Sequence, residues 1–376
     1  MPTRCFVTIT LPGAKYGMIS AGLVTFTLVM TDFGIPKVIG GNFNVLATDV
    51  FKLVIGQQDF QRGAVVALLL LAPAVLTFVV DRAMAARQTA MLSARAVPYR
   101  QRPKAWRDGL ATGYCALITL LVLAMIGMAV FASFASFASF WPYNLQPTLQ
   151  HYTMGLGDAE VGAALANSLT MATGTAVFGT ALVFIGAYLL EKTPGAAPLR
   201  SAVRLLAMLP MAVPGLVLGL GYIFFFNARD NPLGGLYHTM ALLTCCTIVH
   251  FYTTGHLTAV TALKALDAEF EAVSASLKVP FWVTFRRVTL PICSPALVDI
   301  ARYFFINAMT TISAVVFLYS PETKVAAIAI LNLDEAGEMR AAAACAVMIT
   351  VASSIAMLAF TALAWHFDKR CQAWKA

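Results

Sequence analysis

Charge is what this sequence has least of. Only 12% of its 376 residues are Asp, Glu, Lys or Arg, against about 25% in an ordinary soluble domain. So little charge cannot coat a water-exposed surface, and soluble, disordered and nucleic-acid-binding readings fall with it. A G-x-x-x-x-G-K-[ST] segment is also missing, so the chain has no phosphate-cradling loop of its own. The five histidines (His151, His238, His250, His256, His366) form no His-Glu-x-x-His pair, and the seven cysteines form no Cys-x-x-Cys. Both absences argue against a zinc site. An odd cysteine count within or beside apolar runs also speaks against a disulfide framework and for small buried hydrophobes. Residues 1–16 lack the charged start, short apolar core and cleavage site of a secretory signal.

What is present is apolar sequence: 59% of residues are hydrophobic and the mean hydropathy is +0.77. The chain therefore reads as an all-α polytopic membrane protein. A span needs about 20 mostly apolar residues. Eight segments qualify, roughly 17–34, 63–80, 110–132, 161–189, 202–226, 238–259, 297–319 and 340–367. The net charge of +8 is carried in short stretches between them, most densely in residues 81–109 (Arg82, Arg87, Arg95, Arg100, Arg102, Lys104, Arg107). By the positive-inside rule that linker is cytoplasmic, and eight spans then put both termini in the cytoplasm. The tail around Asp368-Lys369-Arg370 agrees, and Trp141 and Tyr143 fall where an outer aromatic belt would lie. Phenylalanines at 131, 134, 137 and 140 repeat every three residues, so they drift around a helix and read as an interfacial extension of the third span.

The chain also contains a repeat. Phe6-Val-Thr-Ile-Thr-Leu-Pro12 recurs as Phe285-Arg-Arg-Val-Thr-Leu-Pro291, an offset of 279, and at the same offset Met30-Thr31 meets Met309-Thr310. Each copy continues with an outer segment, a returning span and a charged exit, but the second is preceded by four spans and the first by none. The expected layout is the last two spans of a first half (1–82), a basic linker (83–109) and a complete six-span half (110–376). The four spans absent from the first half imply either a truncated frame or a second permease chain that supplies them. Repeats of this kind put the solute path at their interface.

Between the sixth and seventh spans, at about 260–295, lies a loop with two short helical stretches. Leu263, Leu266, Phe270, Val273 and Leu277 recur at helical spacing, Pro280 breaks the pattern, a second helix carries Arg286 and Arg287, and Leu290-Pro291 turns the chain back into the membrane. An apolar stripe on a cytoplasmic loop fits a partner's groove. The closing phrase Phe285, Val288, Leu290, Pro291 and Pro295-Ala296 resembles the permeases of binding-protein-dependent ABC importers. So do Asn167-Ser168-Leu169 and Leu209-Pro-Met-Ala-Val-Pro-Gly-Leu-Val-Leu-Gly219. The sequence departs from the family pattern at the front of the loop: Lys278 stands at the usual glycine position and Ala272 at the usual glutamate, leaving Glu269 or Glu271 to contact the partner.

The resemblance implies the type I ABC importer permease fold in a bacterial inner membrane. It implies a loop (Glu269, Phe270, Glu271, Val273, Leu277, Lys278, Arg286, Leu290, Pro291) that couples to a separate ATPase. That ATPase binds the ATP and Mg, so the chain is a transport subunit and no enzyme. A periplasmic substrate-binding protein is the second implied partner. Met30-Thr-Asp-Phe-Gly-Ile-Pro36 and Glu269 through Trp282 are similar to the fused permeases for 2-aminoethylphosphonate, the substrate this resemblance implies, while related fused permeases carry ferric iron. Possible gate or path residues are Asn167, Ser168, Pro210, Pro214, Gly215, Gly219, Thr310 and Thr311, with Thr170 and Ser313 beside them. Pro210 and Pro214 free carbonyls in one span, and Gly215 and Gly219 allow close packing. Charges in spans are few: Asp32, and Asp299 with Arg302 three residues on. An ion-coupled transporter would be expected to carry more buried carboxylates.

Overall fold

The structure, a computed structural model, describes residues 11–41, 43–85, 104–140, 143–149, 159–192, 197–266 and 269–371, with Arg4, Val7, Thr8 and Tyr152. Most of the basic linker, Trp141 and the last five residues lie outside that set, as do the side chains of Glu271 and of the tail from Asp368. Helices dominate. In order they are α1 (Leu11–Thr31), α2 (Gly34–Ile39), α3 (Leu46–Phe51), α4 (Phe60–Ala85), α5 (Ala105–Phe137), α6 (Ala159–Lys192), α7 (Ala197–Ala212), α8 (Gly215–Phe226), α9 (Met240–Lys264), α10 (Glu269–Ser276), α11 (Phe281–Thr284), α12 (Leu290–Thr310), α13 (Ala326–Glu335) and α14 (Met339–Cys371).

All eight expected spans are helical, with three corrections. Residues 202–226 are not one straight helix: α7 and α8 meet at a 110° bend. Pro214 sits at the break with φ −56° and ψ 143° and caps α8, because a proline there can neither continue α7's hydrogen bonding nor let the residue before it stay helical. The seventh span ends at Thr310 rather than 319, since Thr311 turns extended (ψ 135°). The phenylalanine run is helical only to Phe137; Ala138–Phe140 then pairs as β1 with β2 (Asn144–Pro147) in an antiparallel hairpin. Among the described residues, five helices are long and apolar enough to cross a membrane, or six with the bent pair counted as one span. The 25-residue α9 could span about 37 Å at 1.5 Å per residue, though threonines and two histidines keep it less apolar.

The repeat has a structural counterpart. At the offset of 279, α1 and α12 begin and end together (Leu11 with Leu290, Thr31 with Thr310), and α4 and α14 begin together (Phe60 with Met339). The same Leu-Pro phrase stands at the equivalent place in both copies, Leu11-Pro12 and Leu290-Pro291.

Packing centres on α6, which lies against α9, α12 and α13, while α14 joins α12 to α5. Phe304 of α12 is fully buried. A methyl group added at Gly255 or Gly179 would come within 3.0 or 3.3 Å of its ring, so those glycines make its seat. α1 pairs with α4 through Thr27 and Thr77 hydroxyls 2.7 Å apart and through Ser20 donating to Asp81. The first repeat joins the second through a row of rings: Phe33 to Phe51 at 5.0 Å, and Phe51 to Phe317 at 6.4 Å. Lys37 of α2 adds an ion pair with Glu335 of α13 at 2.6 Å.

α8 is held by residues 312–318, which follow α12. A Cβ at Gly219 would stand 2.9 Å from the Ala314 carbonyl oxygen, and one at Gly215 would stand 3.1 Å from the Ala314 nitrogen. Helix and segment thus touch backbone to backbone, the close approach that small residues permit in membranes. Gly219→Val is expected to destabilise the protein by about 1–3 kcal/mol, the usual effect of overpacking. The check is a lower thermal midpoint on size-exclusion chromatography in detergent; an unchanged midpoint contradicts this contact.

Candidate functional site

Two places combine exposed or unpartnered chemistry with defined geometry. The first is the loop after α9. It does not form one helix with a continuous stripe. Leu263 is fully buried at the end of α9 and Leu266 packs on the core, whereas Phe270, Val273 and Leu277 on α10 are exposed, Leu277 by 70%. Trp282, at 69% exposure, joins them from α11. The expected face is therefore divided: its start belongs to the core, its end to an outward surface.

The loop's shape follows from its capping. Val279 N–H bonds the Ser274 carbonyl at 3.0 Å, the six-to-one bond of a Schellman cap, and Lys278 sits at the left-handed position with φ 52°. That conformation is the ordinary reason for a glycine there. Pro280 follows and caps α11. Ser274 and Thr284 hydroxyls bond across the turn. An open groove of about 450 Å³ runs between the two short helices, lined mainly by Phe270, Val273, Val279, Val283 and Val288, with Glu269 and Arg287 at its edge. Phe281 and Phe285 anchor the loop on Tyr188 of α6, with centroids 5.7 and 4.9 Å apart.

Leu290-Pro291 does not turn the chain. Helix runs from Phe281 to Thr310 without a break. Phe285–Thr289, which carries Arg286 and Arg287, forms a π-turn in which Leu290 N–H bonds the Phe285 carbonyl. The extra residue in that turn absorbs the donor that Pro291 lacks. Arg286 and Arg287 are exposed, and Leu290 is 36% exposed.

The second place is a cavity of about 430 Å³ at the bend between α7 and α8. Pro210, Val213, Pro214 and Gly215 supply the bend. Thr31 and Asp32 come from the end of α1, His250 and Thr254 from α9, Tyr303 from α12, and Ser313 from the segment packed on α8. Thr253 ties the bend to α9 by donating to the Ala207 carbonyl at 2.9 Å. Of the expected path residues, the cavity brings together Pro210, Pro214 and Gly215 with Ser313; Gly219 packs one turn farther along α8.

The others lie elsewhere. Asn167 donates to the carbonyls of Glu322 and Lys324 at 2.8 and 3.0 Å, and the buried Ser168 hydroxyl accepts the Ala326 N–H at 2.8 Å. Both stitch α6 to the segment before α13. Thr170 bonds its own helix at Ala166, and Thr310 bonds Ile306 and lines a groove against α14. Thr311 is buried. Sequence reasoning missed His250, Thr254 and Tyr303 as lining residues, since each looks like an ordinary member of a span. Asp299 and Arg302 form the expected pair at 2.8 Å.

Residues 194–372 match the family of binding-protein-dependent transport system inner membrane components. The match takes in a little under half of the chain, including α7 to α14. Over 366 residues, 95% of the chain, it is 28% identical to the ferric transport system permease protein FbpB of Actinobacillus pleuropneumoniae, of which it covers 52%. A second relative, the putative 2-aminoethylphosphonate transport system permease protein PhnV of Salmonella paratyphi A, is 25% identical over 59% of the chain and 82% of that protein. The chain spans about half the length of the ferric relatives. A chain in the crystal structure of a bacterial alginate ABC transporter, in complex with an alginate pentasaccharide-bound periplasmic protein, superposes with a TM-score of 0.59. Identity there is 15%, covering 70% of this chain and 95% of that one, so the likeness is one of fold. The permease fold is the ABC importer fold expected from the sequence.

Lys278 is a bulky side chain in the left-handed cap of α10. Lys278→Gly is expected to stabilise the turn by about 1 kcal/mol, and Lys278→Val to destabilise it, because a β-branched residue is strained at positive φ. Hydrogen exchange across residues 277–284 should slow in the first variant and quicken in the second. The reverse order contradicts the cap.

Proposed function

We propose that the chain is the membrane permease of an ATP-driven importer, in a bacterial inner membrane with both termini cytoplasmic. In this reading residues 1–82 are the closing two spans of a first half and residues 110–376 a complete second half, joined by the linker 83–109. The loop formed by α10 and α11 seats in a separate ATPase, and a periplasmic binding protein delivers the solute at the opposite end.

One observation carries this reading: the exposed apolar surface of α10 and α11 is rigidly joined to the cavity. Phe270, Val273, Leu277 and Trp282 face outward on the loop, and an apolar patch of this kind marks a protein contact. From the same loop an unbroken helix runs to Thr310, carrying Tyr303 into the cavity wall. A displacement of the loop by a nucleotide-driven partner would therefore move one wall of the cavity against the α7–α8 bend. Glu269, Lys278, Arg286 and Arg287 ring the apolar patch and give the contact its polar rim.

For the solute we favour ferric iron over 2-aminoethylphosphonate. The ferric relative aligns with nearly the whole chain, including α1 to α4, whereas the phosphonate relative aligns with 59%.

Leu277→Asp puts a charge in the middle of the docking patch and is expected to reduce recovery of the ATPase with the tagged permease at least tenfold. Membrane insertion and yield should not change, since Leu277 is exposed and touches no core. Undiminished recovery of the ATPase would reject the docking surface.

A further inference from the structure

We propose that Asp32 is a specificity-determining residue, which with His250 makes the cavity at the α7–α8 bend a stop for cations and a barrier to anions. The inference rests on the permease reading above and adds the side chains that sort its solutes.

The repeat isolates the carboxylate. α1 ends in Met30-Thr31 and α12 in Met309-Thr310, at equivalent positions of equivalent helices; the next residue is Asp32 in one copy and Thr311 in the other. The second copy closes the same helix with a neutral side chain, so the fold does not demand a charge there. Asp32 accepts the Ile35 N–H at 3.3 Å through one carboxylate oxygen, a bond a neutral Asn could equally make. A charge at the end of a span that the structure does not require is a functional candidate.

The rest of the lining agrees in sign. Among the described residues, no lysine or arginine lines the cavity. Lys37, five residues on, is held by Glu335, and Arg302, next to Tyr303, is held by Asp299. His250 shares the wall and adds an imidazole to the lining, and its Nδ1 is buried without a hydrogen-bond partner. Thr31, Thr254, Tyr303 and Ser313 offer hydroxyl oxygens. One carboxylate, one imidazole and hydroxyls suit a hard metal cation, whereas an anionic phosphonate would meet the carboxylate with no cation to offset it.

The test reads the charge directly. Ser313→Cys is placed in the full-length chain in membranes, with native cysteines replaced by alanine. Its rates of modification by a cationic trimethylammonium and an anionic sulfonate methanethiosulfonate are then compared, each normalised to a free thiol. With Asp32 present the cationic reagent should react about tenfold faster, the effect of one nearby unit charge at intermediate dielectric. Asp32→Asn should bring the ratio to about one. Equal rates with Asp32 present, or a ratio that Asp32→Asn leaves unchanged, overturn the inference. Thr254→Cys serves if the first variant does not fold. Co-purification of the ATPase, measured on the same membranes, separates the two readings. If it succeeds while the ratio fails, selectivity alone is rejected; if it fails, the permease reading goes and the inference goes with it.

Discussion

The contact on which the rest of the molecule depends is the backbone-to-backbone seam between α8 and residues 312–318. Gly215 and Gly219 let Ala314 approach where any side chain would collide. Held there, α8 cannot continue the line of α7, and the 110° bend leaves space beside Pro214. The segment that clamps α8 also supplies Ser313 to the cavity and Phe317 to the ring contact with Phe51. One seam thus fixes the bend, opens the cavity and joins the two repeats.

At the other end, a second local constraint sets the loop. The left-handed Lys278 and the proline after it turn α10 against α11, so that apolar side chains face outward while Phe281 and Phe285 hold the base on α6. The π-turn at Phe285–Thr289 keeps this loop in one helix with α12. Loop and cavity are therefore two ends of a single rigid element, which is the geometry a machine driven from outside the membrane needs. In the proposed importer the energy is supplied at the loop and spent at the bend.

Much of this was legible in the sequence. Low charge and long apolar runs identify the spans, and the Leu-Pro and Met-Thr phrases give a repeat whose helices begin and end at the same offset in the structure. Pro210, Pro214 and the two glycines mark the break. Its angle was not legible, because two prolines can as well kink a span as divide it; the seam with Ala314 decides, and that partner lies a hundred residues away. Asn167 and Ser168 look like path residues since hydroxyls and amides in spans have either role; only the structure shows Asn167 bonded to the carbonyls of Glu322 and Lys324 and Ser168 to the Ala326 N–H. His250 and Tyr303 gave no signal of their own; a helix pattern does not say which of its faces meets a cavity. Periodicity alone gives the loop a continuous stripe, because it ignores the end of α9 at Lys264, where Leu263 belongs to the core.

The most direct measurement is uptake of radioactive ferric iron into right-side-out membrane vesicles that hold the chain with its ATPase and ATP inside, with the binding protein supplied outside. The account predicts ATP-dependent uptake that a phosphonate does not compete away. An assembled complex that hydrolyses ATP yet accumulates no iron would contradict it.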